Sequence, residues 1–271
     1  MSHIEKLQFG ILSEKDIKCI SVTEVNNTKL NGPNSVYDPL MGTIDPKVLC
    51  SSCGENNIDC PGHYGHINLS YKIIHPMFYK YVVYLLKIFC TKCSRCVLTK
   101  EYIKLKNLTM NSENFPAIID HIQKLGVCFH CDHPQPKIMY SSTESTIYIA
   151  NKNDATGELC KINLSETEIH HIFSNILDED LQMIGINPEH NHPANLLLTC
   201  IPVIPPSARP FIIADNLTCD DDITIQYIDI IKLNKHLQNN NLCETKRQKY
   251  IQSLKFRIRS LYDNSNEKAK H

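Results

Sequence analysis

Residues 50–66, CSSCGENNIDCPGHYGH, carry two close ligand pairs: Cys50 with Cys53, then Cys60 with His63, each separated by two residues. This is the spacing of a closed tetrahedral zinc site, in which each pair folds as a tight knuckle with both ligand atoms on one side. Glycine permits the backbone angles that such turns require, and Gly54, Gly62 and Gly65 stand where they are needed. The alternative is four small residues that merely pack, and the ligand spacing argues against it. A structural site fills all four positions with protein and keeps none for water, so the stretch reads as a staple and not as a catalytic centre.

Upstream, Asp38-Pro and Asp45-Pro hold the approach extended, because the residue before proline is pushed out of the helical region. Leu7 to Leu12 and Cys19 to Val25 have strand character, Ser13 to Lys18 reads as a capped helical turn, and Asn31-Gly-Pro-Asn reads as a loop. Downstream, Pro76 occupies a natural first helical position, and Met77, Phe78, Tyr81, Val82, Leu85 and Phe89 recur at helical spacing. That helix delivers Cys90, which with Cys93 makes another pair; Cys128 and Cys131 supply a third beyond a helical insert from Phe115 to Leu125. Together they form a second zinc site of four thiolates, for which Cys96, His130 and His133 compete as ligands.

The chain has 271 residues, 42% of them hydrophobic, and a net charge of −1. These values describe a globular protein of one or two domains. They exclude one that is basic all over, so any contact with nucleic acid comes from a local patch or a larger assembly. The longest apolar run, Tyr81 to Leu86, ends at Lys87, and Met1-Ser-His-Ile-Glu places no basic stretch ahead of an apolar one. Neither a membrane span nor a signal peptide is expected. Thirteen cysteines, an odd count, with x2 spacings and no signal favour reduced, metal-binding thiols over disulfides.

Further along, Thr146 to Ala150 and Leu159 to Ile162 flank the turn sequence Asn153-Asp-Ala-Thr-Gly and predict a hairpin. Ser165-Glu-Thr-Glu168 is a capping box that opens a helix holding Ile169, Ile172, Phe173 and Ile176; adjacent His170 and His171 read as solvated surface. Leu196 to Ile204 reads as a buried strand that breaks at Pro205-Pro206-Ser-Ala-Arg209-Pro210. Arg209 is then either aimed at a partner or phosphate, or an ordinary surface arginine. From 221 to 262, Ile223, Tyr227, Ile230, Asn234 and Leu237, then Ile251, Leu254, Ile258 and Leu261, predict two helices in an antiparallel coiled-coil hairpin, with Asn234 fixing register. The second helix carries Lys246, Arg247, Lys249, Lys255, Arg257 and Arg259: either a solvated face or a docking surface for a protein factor or nucleic acid. Expected fold class is α+β: a zinc-stapled core over 1–220 (zinc modules within 50–66 and 90–131), the hairpin over 221–262 and a flexible tail over 263–271.

CSSCGENNIDCPGHYGHINL resembles the first zinc motif of the largest subunit of multisubunit DNA-directed RNA polymerase, particularly the eukaryotic polymerase II type. LQFGILSEKDIKCISV, YDPLMGTID, LLLTCIPVIPPSARP and DDITIQYIDIIKLN follow in family order. The resemblance implies a polymerase clamp, a mobile wall closing over template DNA and the RNA–DNA hybrid. It implies two structural zinc ions, one on Cys50, Cys53, Cys60 and His63 and one on Cys90, Cys93, Cys128 and Cys131. Implied partners are the second-largest subunit, the remainder of the largest subunit, and transcription factors received at the 221–262 hairpin. Cys128-x2-Cys131 is more compact than the corresponding polymerase II pair. The family's magnesium loop, Asn-Ala-Asp-Phe-Asp-Gly-Asp, does not occur; Asp178-Glu-Asp180 reads as solvated surface and Asp220-Asp-Asp222 as a helix start. Nucleotidyl transfer and its magnesium are therefore expected elsewhere in the complex, with this chain a split piece, an exon, a degraded copy or a fragment. The Asn/Ile/Lys bias points to a large DNA virus of eukaryotes, and so to a viral factory or virion, or to the nucleus if the source is cellular. A free-standing zinc adaptor for nucleic acid or protein is the alternative; a thiol redox enzyme is disfavoured because the cysteines come in matched pairs.

Overall fold

The computed structural model describes residues 10–141, 146–152, 159–214 and 217–265. In chain order the elements are α1 (Glu14–Ile20), β1 (Ser21–Glu24), β2 (Tyr64–Ile74), α2 (Tyr79–Ile88), α3 (Lys100–Leu105), α4 (Phe115–Leu125), β3 (Lys137–Ser141), β4 (Thr146–Lys152) and β5 (Leu159–Leu164). Then come α5 (Glu166–Ser174), α6 (Asp178–Met183), α7 (Pro188–Asn191), β6 (Leu197–Val203), β7 (Ile212–Ala214), β8 (Leu217–Cys219), α8 (Asp222–Leu237) and α9 (Glu244–Tyr262). Small sheets mixed with short helices make this the expected α+β class. Of the expected Leu7–Leu12 strand, residues 7–9 lie outside the described residues and 10–12 are not a strand. The turn over 153–157 and the tail beyond 265 also lie outside them.

Packing groups the chain into two compact units. One compact unit comprises Leu12–Pro76 with Leu198–His271, and the other Met1–Ile11 with Met77–Leu197. The first holds a sheet of order β1-β2-β6, with β1 parallel to β2. Ile67, Leu69, Tyr71 and Ile73 alternate along β2 and reach one core with residues of α8 and α9, including Tyr227, Ile230, Leu254 and Ile258. That period-2 pattern marks a strand. Reading the stretch from Cys50 to His66 as knuckle alone hid it. Gly65 belongs to this strand, not to a turn: an added Cβ would lie 2.6 Å from Met41 Sδ and 2.9 Å from Val25 Cγ2.

The two long helices pack together, with His236 stacked on Tyr250 at 4.9 Å and Arg257 paired to Asp229 at 3.0 Å. Ile223, expected inside, is 36% exposed, and Thr224 takes the buried position. Asn234 faces β2 and does not serve as a register pin between helices. Its Oδ1 accepts from Ser70 N at 3.1 Å and its Nδ2 donates to Asn68 O at 2.9 Å, so the amide pairs with strand backbone. Asn234→Leu leaves that donor and acceptor unmatched and is expected to cost about 2 kcal/mol. Chemical denaturation should show a lower midpoint at unchanged slope.

In the other unit α2 packs against α4 and β3, with Tyr79 stacked on Tyr140 at 4.9 Å. The antiparallel sheet runs β3-β4-β5, pairing Ile138 with Ile149 and Ile149 with Ile162. The predicted capping box of Ser165 with Glu168 forms at α5, and the capped turn at Ser13 proves to be a capping box with Asp16 at α1. Asp180 departs from expectation. It is 2% exposed and accepts from Arg95 Nε at 2.7 Å.

Candidate metal centres

Among the described residues, two groups of four could each hold a metal ion: Cys50, Cys53, Cys60 and His63 in one unit, and Cys90, Cys93, Cys128 and Cys131 in the other. Within each group the ligand atoms all lie within 4.8 Å of one another. Cys90 Sγ lies 3.6 Å from Cys131 Sγ, and Cys93 Sγ lies 3.8 Å from Cys128 Sγ. A disulfide would need about 2.05 Å. A tetrahedron built on zinc–sulfur bonds of about 2.3 Å has edges of about 3.8 Å, which these separations match. Cys60 Sγ to His63 Nε2, at 3.7 Å, fits the mixed sulfur–nitrogen edge. None of the thirteen cysteines is in a disulfide.

One turn is used three times. In the knuckles that start at Cys50, Cys90 and Cys128, the first cysteine's N–H donates to the carbonyl five residues on, at Glu55, Arg95 and His133 (2.9, 2.9 and 3.0 Å). Its own carbonyl accepts from the N–H four residues on, at Gly54, Ser94 and Asp132. Those three residues have φ of +75°, +56° and +54°. Only the first is glycine, which is why only the first knuckle announces its turn in the sequence. Each first sulfur also accepts a backbone N–H two residues on, from Ser52, Lys92 and His130, at 3.4 Å. Such bonds favour thiolate over thiol. Burial raises the Cys90 thiol, but the N–H groups of Cys93 and Lys92 outweigh it and bring it down to about 7. Burial, with Cys131 and Cys90 alongside, pushes Cys93 up to about 12. Four thiols this close cannot all ionise unaided, and a dication removes that conflict.

The competing ligands fall away. Cys96 is fully buried outside the cluster, burial pushes its thiol up to about 12, and its N–H donates to Asp180. His130 and His133 are not in the group of four, and His133 serves its knuckle through its carbonyl.

In the first centre, Gly62 at φ +78° presses against the proline loop: an added Cβ would lie 2.7 Å from Pro205 Cβ and 2.8 Å from Ser207 Oγ. Gly62→Ala is expected to cost about 2–3 kcal/mol through strain and overpacking together. Thermal melting at saturating zinc checks it, since an unchanged transition would mean that the loop yields freely.

Both expectations for Arg209 are overturned. It is 0% exposed. Its Nε donates to Ile204 O at 3.0 Å, one terminal nitrogen to Thr224 Oγ1 at 2.9 Å and the other to Val36 O. The guanidinium lies over the rings of Tyr37 and Tyr227, 5.2 and 5.7 Å from their centroids. The rigid proline loop does hold its arginine in place, but turned inward to tie three segments, with no face left for a phosphate.

The six basic residues of α9 separate in space. Arg257 bonds Asp229 and Gln226; Arg247 reaches the carbonyls of Leu237 and Asn239 at the end of α8, where a cation suits the helix dipole; Lys255 lies over the Tyr71 ring. Arg259 is half-buried, while Lys246 and Lys249 are exposed. Asp221 caps α8 and Asp220 accepts from the Tyr37 hydroxyl. Among the described residues, no helix is long and apolar enough to cross a membrane.

A family model described as RNA polymerase Rpb1, domain 1, matches residues 1–271. A probable DNA-directed RNA polymerase II subunit RPB1 homolog of Invertebrate iridescent virus 6 is 33% identical over 100% of this chain and 28% of its own length. DNA-directed RNA polymerase subunit Rpo1N of Thermococcus celer is 31% identical over 88% of this chain and 28% of its own length. The DNA-directed RNA polymerase II subunit RPB1 of Euplotoides octocarinatus is 29% identical, over 88% and 54%. The chain thus spans 28% of the length of the first two relatives. It belongs to the RNA polymerase Rpb1 domain 1 family, the N-terminal region of the largest subunit of DNA-directed RNA polymerase.

Proposed function

We propose that the chain is a clamp-forming piece of DNA-directed RNA polymerase, stapled by two structural zinc ions. The observation that carries this is the pair of four-ligand groups, each spaced as a zinc tetrahedron, in a chain of this family. Zinc would supply charge balance and cross-linking: one ion holds the loop before β2 through Cys50, Cys53, Cys60 and His63, and the other ties the end of α2 to the turn after α4 through Cys90, Cys93, Cys128 and Cys131.

On this reading the piece encloses template DNA and the RNA–DNA hybrid through phosphate contacts, which carry no sequence preference and weaken with salt. On the same reading the exposed Lys246 and Lys249 of α9 would meet phosphate or a transcription factor. The second-largest subunit and the rest of the largest subunit complete the assembly, whose magnesium and nucleotidyl transfer lie on other parts.

Metal analysis after purification without chelator is expected to give two zinc ions per chain, and copurification is expected to bring down the second-largest subunit. A single ion would remove one centre. A chain that stays a monomer with its own DNA affinity would overturn the clamp in favour of a free-standing adaptor.

A further inference from the structure

The Cys90 knuckle returns through Arg95 and Cys96, and that return is gripped from far along the chain. Asp180, on α6, accepts from Arg95 Nε at 2.7 Å, from an Arg95 terminal nitrogen at 3.2 Å and from Cys96 N at 3.1 Å. Arg95 also closes the knuckle, because its carbonyl accepts from Cys90 N at 2.9 Å. One carboxylate therefore fixes both side chain and backbone of the segment that sets where the Cys90 and Cys93 sulfurs point. The corresponding returns of the other two knuckles are tied by local bonds, Asn56 to Asp59 and Gln135 to His133. Asp180 is 2% exposed, and burying a carboxylate without paired charge and donors is expensive, so its placement reflects those bonds.

We propose that Asp180 is a positioning residue of the four-cysteine centre, presetting the Cys90–Cys93 knuckle through Arg95 so that the two sulfurs meet those of Cys128 and Cys131 at tetrahedral spacing. This rests on the zinc reading above and deepens it: metal retention at one centre, and not the other, depends on a carboxylate outside the ligand set. The separations of 84 and 85 residues make α6 part of the metal site without supplying a ligand.

Cobalt(II) titration of the full chain tests this, because a centre with three sulfurs and one nitrogen absorbs differently from one with four sulfurs, so both are read together. Asp180→Asn is expected to weaken cobalt binding at the four-sulfur centre about 10-fold or more and to leave the other centre unchanged. Arg95→Met, at a half-exposed side chain, should do the same and decides the matter if Asp180→Asn does not fold. Glu179→Gln, at an exposed carboxylate 3.4 Å from the same arginine, serves as the control and should change nothing. A lowered melting temperature with unaltered cobalt affinity in the folded variants would overturn the proposal, leaving Asp180 a stabilising residue only. If the unsubstituted chain shows no four-sulfur cobalt spectrum, the zinc reading itself fails.

Discussion

Cys60→Ser is expected to remove one zinc ion per chain and to lower the melting temperature of the unit containing Leu12–Pro76 by about 10 to 15 °C. The Cys60 sulfur is buried, and Gly42 is so close that a Cβ there would come within 3.4 Å of it. A hydroxyl in its place is a poor zinc ligand and leaves three donors that hold the ion weakly. Structural zinc supplies on the order of 10 kcal/mol or more of folding free energy in small domains. Less is lost here, because the loop has other anchors: Ser51 N donates to Pro39 O, Ser52 Oγ to Leu40 O, and His63 N to Met41 O. A net loss of about 4 kcal/mol gives the temperature shift above. Zinc per chain and calorimetry check it together; two ions retained with an unchanged transition would show that Cys60 is no ligand. The four-cysteine centre, in the other compact unit, should keep its ion.

Arg209→Met is expected to cost about 4 kcal/mol with zinc content unchanged. Replacing a buried charge with an apolar side chain can be neutral when its partner leaves too. Here the partners stay: the carbonyls of Ile204 and Val36 are backbone and remain buried without their donor. At about 1–3 kcal/mol per unmatched group, plus the lost contact with the Tyr37 and Tyr227 rings, the penalties outweigh the saved desolvation. Arg209→Lys should recover little, since one ammonium cannot span three acceptors set for a planar fork. The denaturant midpoint should fall for both variants, and a midpoint within error of the unsubstituted chain would show that the acceptors find new donors.

The two groups that could hold a metal were legible because such candidate ligands stand at close sequence spacing: three of the four pairs are Cys-x2-Cys and the fourth is Cys60-x2-His63. Helix starts were legible for the same local reason, Ser13 and Ser165 each reaching three residues ahead. Arg209 was not, because its acceptors come from Val36, Ile204 and Thr224, which only the fold brings together. Asn234 follows the same rule: a helical period places it on an inward face but cannot say whether a helix or a strand lies opposite. Ser94 and Asp132 show a subtler gap, since the left-handed turn is demanded by the knuckle and tolerated by residues that do not advertise it. The strand over Tyr64–Ile74 carries its alternation in the sequence, but the metal motif that runs into it masks the pattern.

The division of the chain into interleaved units sets a timetable on the ribosome. Residues 12–76 emerge before Met77–Leu197, but the helices that cover Ile67 and Ile73 are not made until that whole insert has been translated, on the order of ten seconds at common rates. During that wait the later-finished core stands half built, its apolar strand open to chaperones or to neighbouring chains. The inserted unit, nearly continuous in sequence, can collapse meanwhile. The four candidate ligands from Cys50 to His63 are all translated within the early segment, residues 12–76, so on the proposed reading they can close on zinc long before the sheet beside them has a roof.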